Sequence, residues 1–215
     1  FGYGTQLYFD FSGYADMAVG LGLLFGIRLP QNFRSPYSAR SLSEFWRRWH
    51  ITLSSFLRDY LYISLGGNRL GTMRRMVNLV VTMALGGLWH GAGLQFLLWG
   101  FAHGLLLAGE HALRLVIPGL TRIFPAAFKT CTTLLIVMML WIPFRASDLD
   151  HAVIMLSGLL QWSSITFPTL AELAAPVQLM SSASSPPLVV LMWSAFALIC
   201  AGVRPTAWRW ALRAN

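Results

Sequence analysis

Five stretches of this chain, roughly 5–27, 76–91, 93–113, 128–146 and 186–203, are apolar over lengths close to that of a membrane-crossing helix. A hydrocarbon core about 30 Å thick needs about 20 apolar residues at about 1.5 Å each. In lipid only structures that close their own backbone hydrogen bonds can cross, and runs of this length do so as helices. The chain is therefore read as an all-α integral membrane protein, a multi-span helical bundle with interfacial or re-entrant helices. Composition agrees. Charged residues make up 11% of the 215, against about 25% in a soluble domain. Hydrophobic residues make up 56%, and mean hydropathy is +0.58. So little charge excludes a soluble globular domain and a disordered one alike.

The basic residues set the order of sides. Formal net charge is +8, which in a soluble protein would suggest nucleic acid. Here the arginines flank apolar runs, so no nucleic-acid partner is expected. Arg28, Arg34, Arg40, Arg47, Arg48, Arg58, Arg69, Arg74 and Arg75 lie in the block 28–75. Arg114, Arg122 and Lys129 lie between the third and fourth runs, and Arg204, Arg209 and Arg213 follow the fifth. Five alternating spans put all of these on one side and leave Arg145 on the other. The positive-inside rule makes the rich side cytoplasmic. The expectation is a single membrane domain, 1–215, multi-pass in a bacterial inner membrane, with membrane lipid as its surroundings. The chain opens on Phe1 in an aromatic run, with no Met and no basic segment before it. That is not a signal peptide, and a piece of a longer protein is expected.

The block 28–75 is the most structured polar segment. Ser41 and Glu44 have capping-box spacing, which predicts a helix start. Trp46, Trp49, His50, Leu53, Phe56, Leu57 and Tyr60 then recur at steps of three and four, one face of a single helix. An amphipathic helix rich in Trp and Arg is expected to lie in the membrane interface and to end at Gly66-Gly67-Asn68. Residues 147–160 read as a short helix on the outer side, and 161–185, rich in Ser, Thr and Pro, as a loop. Gly91 and Gly93 break the second and third runs into a bent or re-entrant pair.

His90 is the most informative side chain. It ends the run MVNLVVTMALGGLWH, fifteen residues past Arg75, so about 22 Å into the bilayer. An ionisable group at that depth is a functional candidate, and imidazole is suited to moving protons near neutral pH. The alternative is a structural His bonded to a neighbouring helix. His50 on the apolar stripe, and His103 on the next run, read first as packing. His111 beside Glu110 reads as a solvated group at a helix end, and His151 as solvated. Asp10, Ser12, Tyr14 and Asp16 form either a polar path or a packing network in the first run. Arg34, Arg40, Arg47 and Arg48 suit either a phosphate-bearing ligand or anionic headgroups. No His pair has metal-ligand spacing, and Cys131 and Cys200 sit inside apolar runs, so neither a metal site nor a disulfide framework is indicated.

Four strings go further: YFDFSGYADMAVGLGLLFG (8–26), NFRSPYSARSLSEFWRRWHITLSSFLRDYLYISLGGNR (32–69), GGLWHGAG (86–93) and PFRASDLDHA (143–152). With their spacing they resemble the membrane-bound O-acyltransferase (MBOAT) family, in the branch of the alginate O-acetyltransferase membrane subunit and its exopolysaccharide and peptidoglycan relatives. Teichoic acid D-alanyl transfer is a more distant likeness. The resemblance covers residues 1 to about 152. Ser64 stands where that branch usually has Pro, and Gly86 where Ser is common. Family members are about twice this length or more, so the chain is expected to be a C-terminal piece of the fold.

The resemblance implies a tunnel with a buried site, the family's catalytic His at His90 and its second polar position at His50. It implies transfer of an acyl group, acetyl in this branch, from acetyl-CoA or an acyl carrier thioester in the cytoplasm, with no cofactor held by the protein. His90 would be general base. Arg47, Arg48 and Arg58 would help dock the anionic donor. Periplasmic acetyltransferase partners would place the acyl group on a polysaccharide, alginate-like or another envelope glycan. A transporter or channel without covalent chemistry, and an inactive truncated relative, are the alternatives.

Overall fold

The computed structural model describes residues 1–160, so the expected loop 161–185 and span 186–203 lie outside the described residues. The described part is all-helical. In chain order it contains α1 (Gly2–Leu24), a 3-10 turn (Pro36–Ser38), α2 (Leu42–Trp46) and α3 (Ile51–Phe56) with a π-helical continuation (Leu57–Tyr62). There follow α4 (Gly71–His90), α5 (Leu94–Val116), the single turn α6 (Leu120–Ile123), α7 (Ala126–Arg145) and α8 (Leu149–Leu160). Helices α5 and α7 are long and apolar enough to cross a membrane. Helix α8 is the short helix expected over 147–160.

Helices α4 and α5 form the tightest unit, and glycine is the reason. Gly87 on α4 faces Gly100 on α5, and a Cβ on Gly87 would sit 3.1 Å from the Gly100 Cα and against the Phe96 carbonyl. A Cβ on Gly104 would lie 2.6 Å from the Val80 Cα. Gly100 and Gly104 are four apart, the small-residue spacing that lets two backbones touch where burial from water supplies no drive. The expected bend is therefore a full helical hairpin. Gly91 to Gly93 is the link, and α4 runs as one unbroken helix from Gly71 to His90.

Between α1 and α4 the structure departs from the single interfacial helix. The stretch after α1 runs back along it. Leu29 lies beside Gly22, the Phe33 ring meets Phe11 at 5.0 Å and Tyr8 at 5.9 Å, and the Tyr37 hydroxyl donates to the Gly4 carbonyl. This irregular extended segment then competes for the helix's own backbone groups. The Arg34 N–H bonds the Arg48 carbonyl at 2.9 Å, and the Ile51 N–H bonds the Asn32 carbonyl at 3.0 Å. The helix breaks between them, with His50 in the left-handed region at φ 44°. Periodicity alone carries no sign of that competition.

The broken block also packs inside the bundle. Phe33, Tyr37, Leu42, Phe45 and Trp49 share one core with Tyr8 of α1, Trp99 of α5 and Trp141 of α7. Phe56 and Tyr60, the far end of the expected apolar stripe, are exposed. Helix α2 runs antiparallel to α5, with Ser43 at Glu110 and Trp46 at His103 and Trp99. After the turn at His50 the chain returns along α4: His50 by Trp89, Leu57 by Gly86, and the Leu65 and Gly67 carbonyls on Asn78. The block is a helical loop that goes in and comes out, with His50 at its apex.

Candidate active site

His90 is the last residue of α4, half-buried, with Gly91 capping the helix. Its ring stands edge-to-face to Trp89 at 5.0 Å, Trp99 at 5.4 Å and Phe144 at 5.1 Å. Three helices thus supply its walls: α4, α5 and α7. His50 comes from the apex of the helical loop, with Phe11 of α1 at 4.8 Å and Trp89 at 6.3 Å. Trp89 stands between the two histidines, 6.3 Å from the His50 ring and 5.0 Å from the His90 ring. Two histidines forty residues apart in sequence are brought to one aromatic-walled place.

Asn32 fixes how His50 sits. Its side-chain oxygen accepts from the Thr52 N–H at 3.2 Å and the Thr52 hydroxyl at 3.0 Å, and lies 3.3 Å from His50 Nδ1. His103 is different. It is fully buried, and its Nδ1 accepts from the Trp46 indole N–H at 3.2 Å. Indole only donates, so His103 is neutral with its proton on Nε2. It holds Trp46 against Trp99, the packing role expected for it. His151 lies on the exposed start of α8, its N–H bonded to Asp148 Oδ1 at 2.7 Å.

The arginines named for donor docking do not act as one set. Arg47 is exposed at the end of α2. Arg48 is engaged, with Nη2 on Glu44 Oε1 and Nη1 on Ser38 Oγ at 3.0 Å. Arg58 lies past the apex, in the π-helical segment, and pairs with Asp59 at 2.7 and 3.0 Å. Asp59 offsets its charge. Among the described residues no group of three His, Cys, Asp or Glu is placed to hold a metal ion.

Three polar residues prove to be structural anchors, two that sequence reasoning passed over and one, Glu110, that it placed beside a solvated group at a helix end. They are Asn32, Asn78, whose amide bonds the Leu65 and Gly67 carbonyls at 3.0 and 3.2 Å, and Glu110, which accepts the Ser43 N–H at 3.2 Å. Asn78 had a signal, as an amide in a run otherwise nearly free of polar groups. The others bond across 18 to 67 residues of sequence.

The profile of the membrane-bound O-acyltransferase family matches residues 1–147, more than half the chain. The chain belongs to that family. Both histidines, the helical loop and the α4–α5 hairpin fall inside the matched MBOAT region. A "Probable alginate O-acetylase AlgI" of Azotobacter vinelandii is 52% identical over 174 residues, covering 78% of this chain and 33% of that protein. The peptidoglycan O-acetyltransferase of Helicobacter pylori is 43% identical over 173 residues, covering 80% and 33%. The teichoic acid D-alanyltransferase of Bacillus subtilis is 33% identical over 116 residues, covering 50% and 29%. The chain spans about a third of the length of these MBOAT relatives.

Proposed function

We propose that this chain forms the catalytic part of a bacterial inner-membrane O-acyltransferase, moving acetyl from a cytoplasmic thioester toward an envelope glycan such as alginate or peptidoglycan. The observation that carries the reading is the meeting of His50 and His90 inside one aromatic wall, within the region matched to the family. His90 takes the proton of the attacking hydroxyl as that oxygen bonds to the thioester carbonyl carbon. The tetrahedral intermediate then expels the thiolate, which takes the proton back from the imidazolium. The products are an ester and a free thiol. Trp99 and Phe144 form the buried side of the His90 surroundings and keep water from that side of the acyl group. The donor is acetyl-CoA or an acyl carrier thioester, with exposed Arg47 meeting its phosphate. Arg48 and Arg58, already paired, contribute less. The accepting hydroxyl belongs to the glycan or to a periplasmic partner protein that passes the acyl group on.

The test uses the full-length protein in its native membrane at matched protein levels. Replacing His90→Ala should cut O-acetyl content of the surface polysaccharide by about 100-fold or more, the usual range for losing a general base. Unchanged acetylation in that variant would rule out the mechanism and favour transport without covalent chemistry.

A further inference from the structure

We infer that Asn32 is a positioning residue that sets which nitrogen of His50 carries the proton, leaving Nε2 as the free base. This rests on the proposed reading that His50 and His90 share one acyl-transfer site.

The amide orientation of Asn32 follows from its partners. The backbone N–H of Thr52 can only donate, so the Asn32 atom 3.2 Å from it is the oxygen. That same oxygen lies 3.3 Å from His50 Nδ1. Two acceptors do not bond each other, so Nδ1 carries the hydrogen and the Nε2 lone pair remains open. The backbone is shaped for this contact. The Asn32 carbonyl takes the Ile51 N–H at 3.0 Å, and the left-handed turn at His50, φ 44° and ψ 55°, returns the imidazole over Asn32. Histidine is one of the few non-glycine residues that enter this region readily, and here it is the turn that sets the imidazole beside Asn32. His103 shows the contrast in the same bundle: a donor, Trp46, occupies its Nδ1, and the backbone is ordinary helix. The rest of the His50 surroundings is Phe11 from α1, Trp89 and His90 from α4, and the Thr52 hydroxyl at 3.5 Å. Among the described residues, Asn32 is the only side chain other than Thr52 that bonds its ring nitrogens.

The experiment compares wild type, Asn32→Asp, Asn32→Ala, His50→Ala and the Asn32→Ala/His50→Ala double variant in the full-length protein. Rates of thioester-dependent acetyl transfer in membranes are followed from about pH 3.5 to 9. Asn32→Asp keeps the acceptor for Thr52 and puts a carboxylate beside Nδ1–H, which favours imidazolium. The acidic limb of its pH–rate curve should move up by about one unit or more, with the rate recovering at high pH. Asn32→Ala should lose about 10-fold in kcat, and the double variant should be no slower than His50→Ala. An unshifted pH curve for Asn32→Asp, or additive losses in the double variant, would overturn the positioning role while leaving the acyltransferase reading intact. So would failure of Asn32→Asp to accumulate, which would make Asn32 a folding residue. Wild-type rates in His50→Ala would instead remove the premise about His50.

Discussion

Glu44 is engaged at both carboxylate oxygens, one accepting the Arg40 N–H at 2.8 Å and the other paired with Arg48. Burial raises its pKa, but the Arg40 N–H and the two guanidinium groups outweigh burial and hold the carboxyl below its ordinary value. A carboxylate depressed in the folded state contributes stability above its unfolded pKa, and that contribution is lost as pH falls through the folded value. Glu44→Gln should therefore lower the unfolding temperature of the detergent-purified full-length protein at pH 7. The gap to wild type should narrow as pH falls below the ordinary carboxylate range and through the lower folded-state value. A gap unchanged from pH 7 down to about pH 2 would mean that Glu44 acts through shape and not charge. The Ser41–Glu44 start of this helix was legible, because Ser41 Oγ accepts the Glu44 N–H at 3.1 Å as the spacing predicts. The second half of the expected capping box is displaced by one residue: the carboxylate takes the N–H of Arg40, not of Ser41. Local signals name a cap, and the charge three residues later decides where it points.

At the scale of elements, the first four apolar runs became helices almost where the sequence placed them, and the fifth lies outside the described residues. The break at 47–50 did not show in the sequence, and its cause is tertiary. The irregular segment 32–34 captures the Arg48 carbonyl and the Ile51 N–H, groups whose loss no 3.6-residue pattern records. The same limit hid the helical loop, since aromatic residues at steps of three and four suit an interface and a bundle core equally. The α4–α5 contact is the element on which the His90 position depends. Gly100→Leu would drive a side chain into the Met83 carbonyl and the Gly87 backbone. The expected cost is about 3 kcal/mol. Gly109→Ala, with nothing within 4 Å of the added Cβ, serves as control and should be neutral or slightly stabilising. Thermal unfolding of the purified full-length protein separates the two, and equal stability of Gly100→Leu and wild type would mean that the helices do not meet through backbone contact.

For the whole molecule, the packed helices sort the charges by end. Arg74 and Arg75 open α4, Arg114 lies in the last turn of α5, and Lys129 lies in the first turn of α7. Because α4, α5 and α7 follow one another in alternating direction, all of these gather at one end. His90, Gly93 and Arg145 mark the opposite end, where α1 begins: Arg145 lies over the Tyr3 ring at 5.2 Å. Helix α2 then enters from the Glu110 side and delivers His50 to the His90 side. Under the acyl transfer proposed above, a thioester arriving from the basic end would pass Arg47 on its way to the two histidines, and the acyl group would leave toward the opposite side. This arrangement predicts topology directly. In a Cys131→Ser/Cys200→Ser background of the full-length protein, Ala92→Cys should react with a membrane-impermeant thiol reagent added outside intact spheroplasts. Ala126→Cys, at the opposite end, should react only after the membrane is opened. Labelling of Ala126→Cys from outside, with Ala92→Cys protected, would invert the chain in the bilayer and reverse the direction of acyl movement, because the basic end would then face away from the cytoplasmic thioester pool.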